Sequence, residues 1–298
     1  MGKKKAANPS ASNAANTTIS SANDVKRGVK GDPDPAPLGQ YLSMVGTHTL
    51  FLLFCIVFMP RSTFFFMEMP HQASSQDRPQ AEWMAPITVL PSWSVAWMCA
   101  GAAAVQMSWA RKIRTWILED EGNAEAKAEE AKRGMKDTWR ACGATLLGAG
   151  VFHVVIVILG APFATHIQHT FLLALLISIL SIYAPARCLT YPPLFGSQSD
   201  NPQKDAVLRA KWSRIFVHFS PKTRAERALF HPAILVVFGA WCGAYPLALD
   251  WDRPWQAWPL TPAVGAILGH VLGDLNSVLV STVYYLGRTL EDPRIKRC

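Results

Sequence analysis

Charged side chains are scarce in this chain. Asp, Glu, Lys and Arg supply 17% of its 298 residues, where a soluble domain carries about 25%. The sequence also lacks the usual signatures of enzyme chemistry: no GxxxxGK[ST] phosphate loop, no HExxH, no GxSxG and no CxxC occurs. Those absences exclude P-loop nucleotide hydrolysis, zinc proteolysis of the HExxH type, nucleophile-elbow hydrolysis and a paired-cysteine zinc site. Cysteine is limited to six scattered residues. Cys55, Cys99, Cys142 and Cys242 fall in or at the ends of apolar blocks, where a small packing role is expected, and no disulfide framework is read from them.

Apolar residues are abundant and segregated. They make up half the chain and gather in blocks such as Thr47 to Pro60 and Thr170 to Ile182, with the charges collected between. A hydrocarbon layer about 30 Å thick takes about 20 helical residues, and six blocks meet that length. The expected fold class is therefore all-α, a polytopic membrane protein with about six transmembrane helices over 43–60, 86–110, 141–159, 167–184, 232–249 and 261–287. The third and fourth should form a helical hairpin about Gly160-Ala161-Pro162. Around this membrane domain, 41–288, lie an expected disordered tail over 1–40, long loops at 111–140 and 187–230, and a short tail over 289–298. Within the first loop, Glu119 to Lys136 is Ala-rich and helix-prone. A secretory-signal reading of the first block is rejected because about forty polar residues precede it. Myristoylation is rejected because position 6 is Ala.

The net charge of +8 invites a nucleic-acid reading. Sorting the cations by loop removes it. Of 29 Lys and Arg, six fall in the N-terminal tail, eight in 111–140, eight in 187–227 and four in the C-terminal tail, leaving Arg61, Arg78 and Arg253 for the opposite side. An excess of Lys and Arg in short loops marks the cytoplasmic face, so both termini are expected in the cytoplasm. Glu68, Asp77, Glu82, Asp250 and Asp252 then make the opposite, lumenal face acidic.

Candidate chemistry is thin. His166 and His169 sit i, i+3 at a helix start, an incomplete metal pair. His153 lies within the third span, and an interhelical partner is expected for it. Asp274 is the lone carboxylate inside a span, with His270 a turn before and Asn276 just after, and an ionisable group in lipid is a functional hypothesis by default. Structural pairing with His270 or another helix is the competing reading. The densest cluster is Asp250-Trp251-Asp252-Arg253-Pro254-Trp255-Gln256-Ala257-Trp258-Pro259 between the last two spans. Its three tryptophans suit a headgroup boundary. Two readings remain: an aromatic anchor whose acids and Arg253 satisfy one another, or a preorganised contact for a partner or a lipid phosphate.

This cluster, preceded by Gly239-Ala240-Trp241 and Gly243-Ala244, resembles the hallmark of the phosphatidylinositol-glycan biosynthesis class F family. Phe152-His153-Val154-Val155, then Gly160-Ala161-Pro162 and Thr170-Phe171-Leu172, form a second match. The resemblance implies a multi-pass protein of the endoplasmic reticulum membrane acting in GPI-anchor assembly. It implies a non-catalytic subunit that stabilises large ethanolamine-phosphate transferases, whose metal-dependent site belongs to the partner. On that reading no cofactor or metal is expected for the chain itself, its partners are the large catalytic subunit and membrane lipids, and no role passes to His166, His169 or Asp274. Small residues at Gly143, Gly148, Gly150, Gly239 and Gly243 offer faces for the partner's helices. The alternative is a lipid-handling enzyme or transporter acting in its own right, with Asp250, Asp252, His153 or Asp274 on lipid phosphate.

Overall fold

Among the described residues, seven helices of more than two turns carry the architecture. A computed structural model describes residues 38–66, 81–120, 124–162, 164–189 and 202–291, and among these there is no strand. The tail expected to be disordered lies, up to residue 37, outside the described residues, as do parts of both loops and residues 292–298.

Helix α1 (Leu38–Val57) shows how the sequence folds here. Its buried residues Tyr41, Val45, His48, Thr49, Leu52 and Cys55 recur at three- and four-residue intervals and form one stripe. The outward positions include Leu42, Leu50, Phe51 and Phe54, all exposed. A helix apolar on its open face and partly polar on its packed face is built for lipid. A 3-10 turn over Met59–Phe65 follows.

The second span differs from expectation. Glu82–Thr88 and the following helix are bent by 87° at Val89 and Leu90, so the chain has five helices long and apolar enough to cross a membrane, or six if the bent pair forms one span. Pro91 explains the break, since it opens a new helix and disfavours helical backbone at the residue before it. Helix α2 then runs Pro91–Asp120 and α3 runs Ala124–Ile158. The described residues of the loop expected over 111–140 are therefore helical, as its Ala, Glu and Lys content favours.

Helix α4 spans Ile167–Leu189, and 83% of its apolar window is buried against 22% for α3, which makes α4 the central helix. The expected stop at Pro185 is not observed. A π-helical turn over Ile179–Tyr183 precedes the proline and the helix continues through it, because the widened turn accommodates the missing N–H. The α3–α4 hairpin does form, turning at Gly160, whose φ of 109° suits glycine. Ser178 Oγ donates to the Thr145 carbonyl at 2.6 Å across it.

After α5 (Pro202–Trp212) and a second π-turn over Ser213–Val217, helix α6 (Arg224–Ala244) starts a full two turns before the expected Pro232. Thr223 Oγ1 accepts from the Glu226 N–H at 3.2 Å as an N-cap. Glu226 in turn accepts from the Lys222 N–H at 2.8 Å and from both terminal nitrogens of Arg214 at 2.9 and 2.6 Å. These bonds make a stable helix start out of a segment read from sequence as loop. Helix α7 (Leu260–Glu291) packs along α6. Gly239 and Gly243 on α6 meet Gly265, Gly269, Thr261 and Pro262 on α7, and a Cβ added at Gly239 would lie 2.8 Å from the Gly269 Cα. The expectation that Gly239 and Gly243 serve a partner is thus corrected: these glycines are occupied within the chain.

Candidate functional site

Two sites emerge, one at an end of the bundle and one in its middle. The first is the Trp-rich loop. Its backbone is organised by Gln256, whose Nε2 donates to the carbonyls of Pro246 (2.7 Å) and Leu249 (2.8 Å) while its Oε1 accepts from the Arg253 N–H at 2.7 Å. The Gln256 N–H returns to the Arg253 carbonyl at 2.9 Å. Pro254 opens a single 3-10 turn, Pro254–Gln256. The Trp258–Pro259 peptide is cis. Trp258 Nε1 donates to Thr170 Oγ1 at 3.2 Å, tying the loop to the first turn of α4. Trp251 and Trp255 meet edge to face at 5.7 Å.

This staple divides the motif by exposure. Arg253, Pro254, Trp255, Gln256 and Trp258 are half-buried and Pro259 is buried, whereas Asp250, Trp251 and Asp252 project outward. Asp252, exposed, takes a φ of 48° in the left-handed region. Gly160 and Pro162 are exposed at the α3–α4 turn. His153 is half-buried on α3 with its ring 6.1 Å from Phe171 of α4. Its interhelical neighbour is thus an aromatic ring, and its Nδ1 has no hydrogen-bond partner among the described residues. His166 and His169 stand edge to face at 5.1 Å near the same end.

The second site is buried. Asp274 is brought to His270, as expected, at 3.9 Å along α7. The stronger contact comes from α1, where His48 Nδ1 lies 2.7 Å from Asp274 Oδ2. Gln106 of α2 places Nε2 3.0 Å from His270 Nε2, and Trp109 stacks on His48 at 4.2 Å. Asn276 is half-buried and takes no part in the cluster. His48 and Gln106 were not singled out from the sequence. A legible signal did exist on α7, where His270, Asp274, Ser277 and Ser281 recur at intervals of four, three and four and are all buried. Each reaches another helix or its own cluster: Ser277 meets Tyr41 Oη at 2.6 Å, and Ser281 accepts from Arg227 Nε at 2.9 Å. Arg227 also lies over the Tyr284 ring at 5.0 Å. Buried polar groups in lipid demand such partners, so α7 is the polar seam of the bundle.

The family described as GPI biosynthesis protein family Pig-F matches residues 40–278, nearly all of the helical bundle. The chain is 28% identical over 185 residues to a mouse protein named GPI ethanolamine phosphate transferase, stabilizing subunit, covering 62% of this chain and 75% of that one. The human protein of the same name is 31% identical over 157 residues, 53% of this chain and 64% of its own. A Pyricularia oryzae protein named glycosylphosphatidylinositol anchor biosynthesis protein 11 is 34% identical over 146 residues, 49% of this chain and 44% of its own. The matched region thus spans from under half to three quarters of these curated relatives. No solved structure matches the chain. With the family match running from the third residue of α1 to the polar seam of α7, the chain belongs to the Pig-F family of GPI biosynthesis proteins.

Proposed function

We propose that the protein is a non-catalytic membrane subunit that stabilises a large GPI ethanolamine-phosphate transferase in the endoplasmic reticulum. The observation that carries this reading is the family match over nearly all of the bundle, with relatives named as the stabilizing subunit of that transferase. The site geometry supports it. Gln256 holds the loop so that Asp250, Trp251 and Asp252 stand outward as a preformed contact. On α3, Gly143 and Gly150 meet nothing within 4 Å and leave a smooth helix face for close approach. With the bent pair counted as one span, both termini lie in the cytoplasm and the Trp-rich loop faces the lumen, a reading supported by the distribution of Lys and Arg.

The test is depletion of the protein in cells. Abundance of the large transferase should fall, and GPI precursors lacking ethanolamine phosphate should accumulate. Unchanged precursors would overturn the proposal. Transfer activity from the purified chain alone would instead favour an enzyme acting in its own right.

A further inference from the structure

We propose that His48, His270, Asp274 and Gln106 form an intramembrane site for one divalent transition metal of the zinc type, joining α1, α2 and α7. This departs from the expectation drawn from sequence, which weighed His166 and His169 as the metal pair and found it incomplete.

The donor set comes first. One ligand atom from each of His48, His270 and Asp274 lies within 4.8 Å of the others, and all three residues are buried. His270 and Asp274 are spaced i, i+4 on one helix face, the spacing by which a single helix offers two ligands to a metal. A tetrahedral zinc with bonds of about 2.0–2.1 Å holds its ligand atoms about 3.3 Å apart. The separations of 2.7 Å from His48 to Asp274 and 3.9 Å from His270 to Asp274 straddle that value. Changes of about 0.6 Å in each of these two separations convert the cluster into a coordination shell. Gln106 supplies the fourth corner. Its Nε2 stands 3.0 Å from His270 Nε2, and turning the amide about its last bond directs Oε1 inward.

The unsatisfied atoms come second. Asp274 Oδ1 and Gln106 Oε1 are buried and have no hydrogen-bond partner among the described residues. Asp274 is 0% exposed, and among the described residues it pairs with no Lys or Arg, only with histidines. In its ionised form a buried carboxylate facing two neutral imidazoles carries a net negative charge that lipid disfavours. A divalent cation answers the charge: bound to both carboxylate oxygens it engages Oδ1 beside the Oδ2 that faces the histidines, and it gives Gln106 Oε1 a partner. Imidazole with carboxylate oxygen suits zinc and its first-row neighbours. The site sits between the two apolar clusters of the core, with Leu52, Met98 and Ile267 on one side and Val45, Trp109 and Leu229 on the other. Its geometry is closed, and its role is to fasten α1 and α2 to α7.

The test uses the full chain, purified in detergent without a polyhistidine tag, loaded with Zn2+ or Co2+ and passed through gel filtration. Wild type should retain about one metal per chain, show the visible absorption of tetrahedral Co2+, and lose several degrees of thermal stability on chelation. His270→Ala and Asp274→Asn should lose the metal, while the double variant His166→Ala with His169→Ala should keep it. No retained metal in wild type and no effect of chelator on its stability overturns the proposal. So does metal that follows His166 and His169 instead of the buried set. Both overturning results are read on folded protein, so a buried-site variant that fails to fold leaves the proposal exposed to refutation.

Discussion

Gln256 illustrates how much of the candidate contact depends on one neutral side chain. The eye in the sequence is drawn to Asp250, Asp252 and Arg253, but it is Gln256 that closes the loop with three side-chain bonds. Replacing it with Ala should cost about 1–3 kcal/mol of loop stability. Co-purification of the transferase should weaken more than in Asp250→Asn, as read by pull-down from mild detergent. A second residue-level prediction concerns Glu226. It accepts both Arg214 nitrogens and the Lys222 N–H, and its bond to Arg214 raises the guanidinium above its ordinary value. Glu226→Ala removes the carboxylate that accepts the Lys222 N–H ahead of α6 and leaves the partly buried Arg214 without its acidic partner, holding only the Ser220 carbonyl. A loss of about 2 kcal/mol is expected, measured as a lowered thermal midpoint in detergent. Neither role was legible from composition, because a Gln in a Trp-rich loop and a Glu in a basic loop announce no partner until the chain is folded.

Among helices, the α6–α7 pair carries the sharpest constraint. Gly239 and Gly243 oppose Gly265 and Gly269, and Gly273 meets Pro232, so backbone lies against backbone along the pair. Without a hydrophobic drive between helices in lipid, such closeness is what gives dispersion its reach. Gly269→Leu should therefore cost about 3 kcal/mol and yield aggregated protein on gel filtration. Gly143→Ala, with open space around it, should leave stability unchanged or raise it by up to about 1 kcal/mol. The sequence pointed to glycines on the third and fifth spans but not to which helix each would meet. It also set helix limits at Pro185 and Pro232, and there local propensity lost to context. A π-turn precedes Pro185 and lets the helix run through it, while the capped start at Thr223 fixes the beginning of α6 two turns ahead of Pro232.

At the scale of the whole molecule, orientation is the first testable property. An Asn-x-Ser acceptor inserted after Gln76 should be glycosylated in microsomes, and one inserted after Ser199 should not. Swapped labelling would reverse the membrane topology. The apolar blocks by themselves determined an all-α chain of membrane-spanning helices, because a layer about 30 Å thick leaves few other ways to satisfy a backbone in lipid. The same sequence placed the Trp-rich motif between the last two spans and carried enough family character to predict its relatives. Tertiary structure alone decided that the second span is bent at Val89 and Leu90 and that α4 lies at the centre. It alone brought His48 and Gln106, from α1 and α2, to Asp274 and His270 on α7. The physical reason is that hydropathy reports each segment's affinity for lipid, whereas which polar atoms meet depends on the rotation and register of helices far apart in sequence. Those are set by packing between faces.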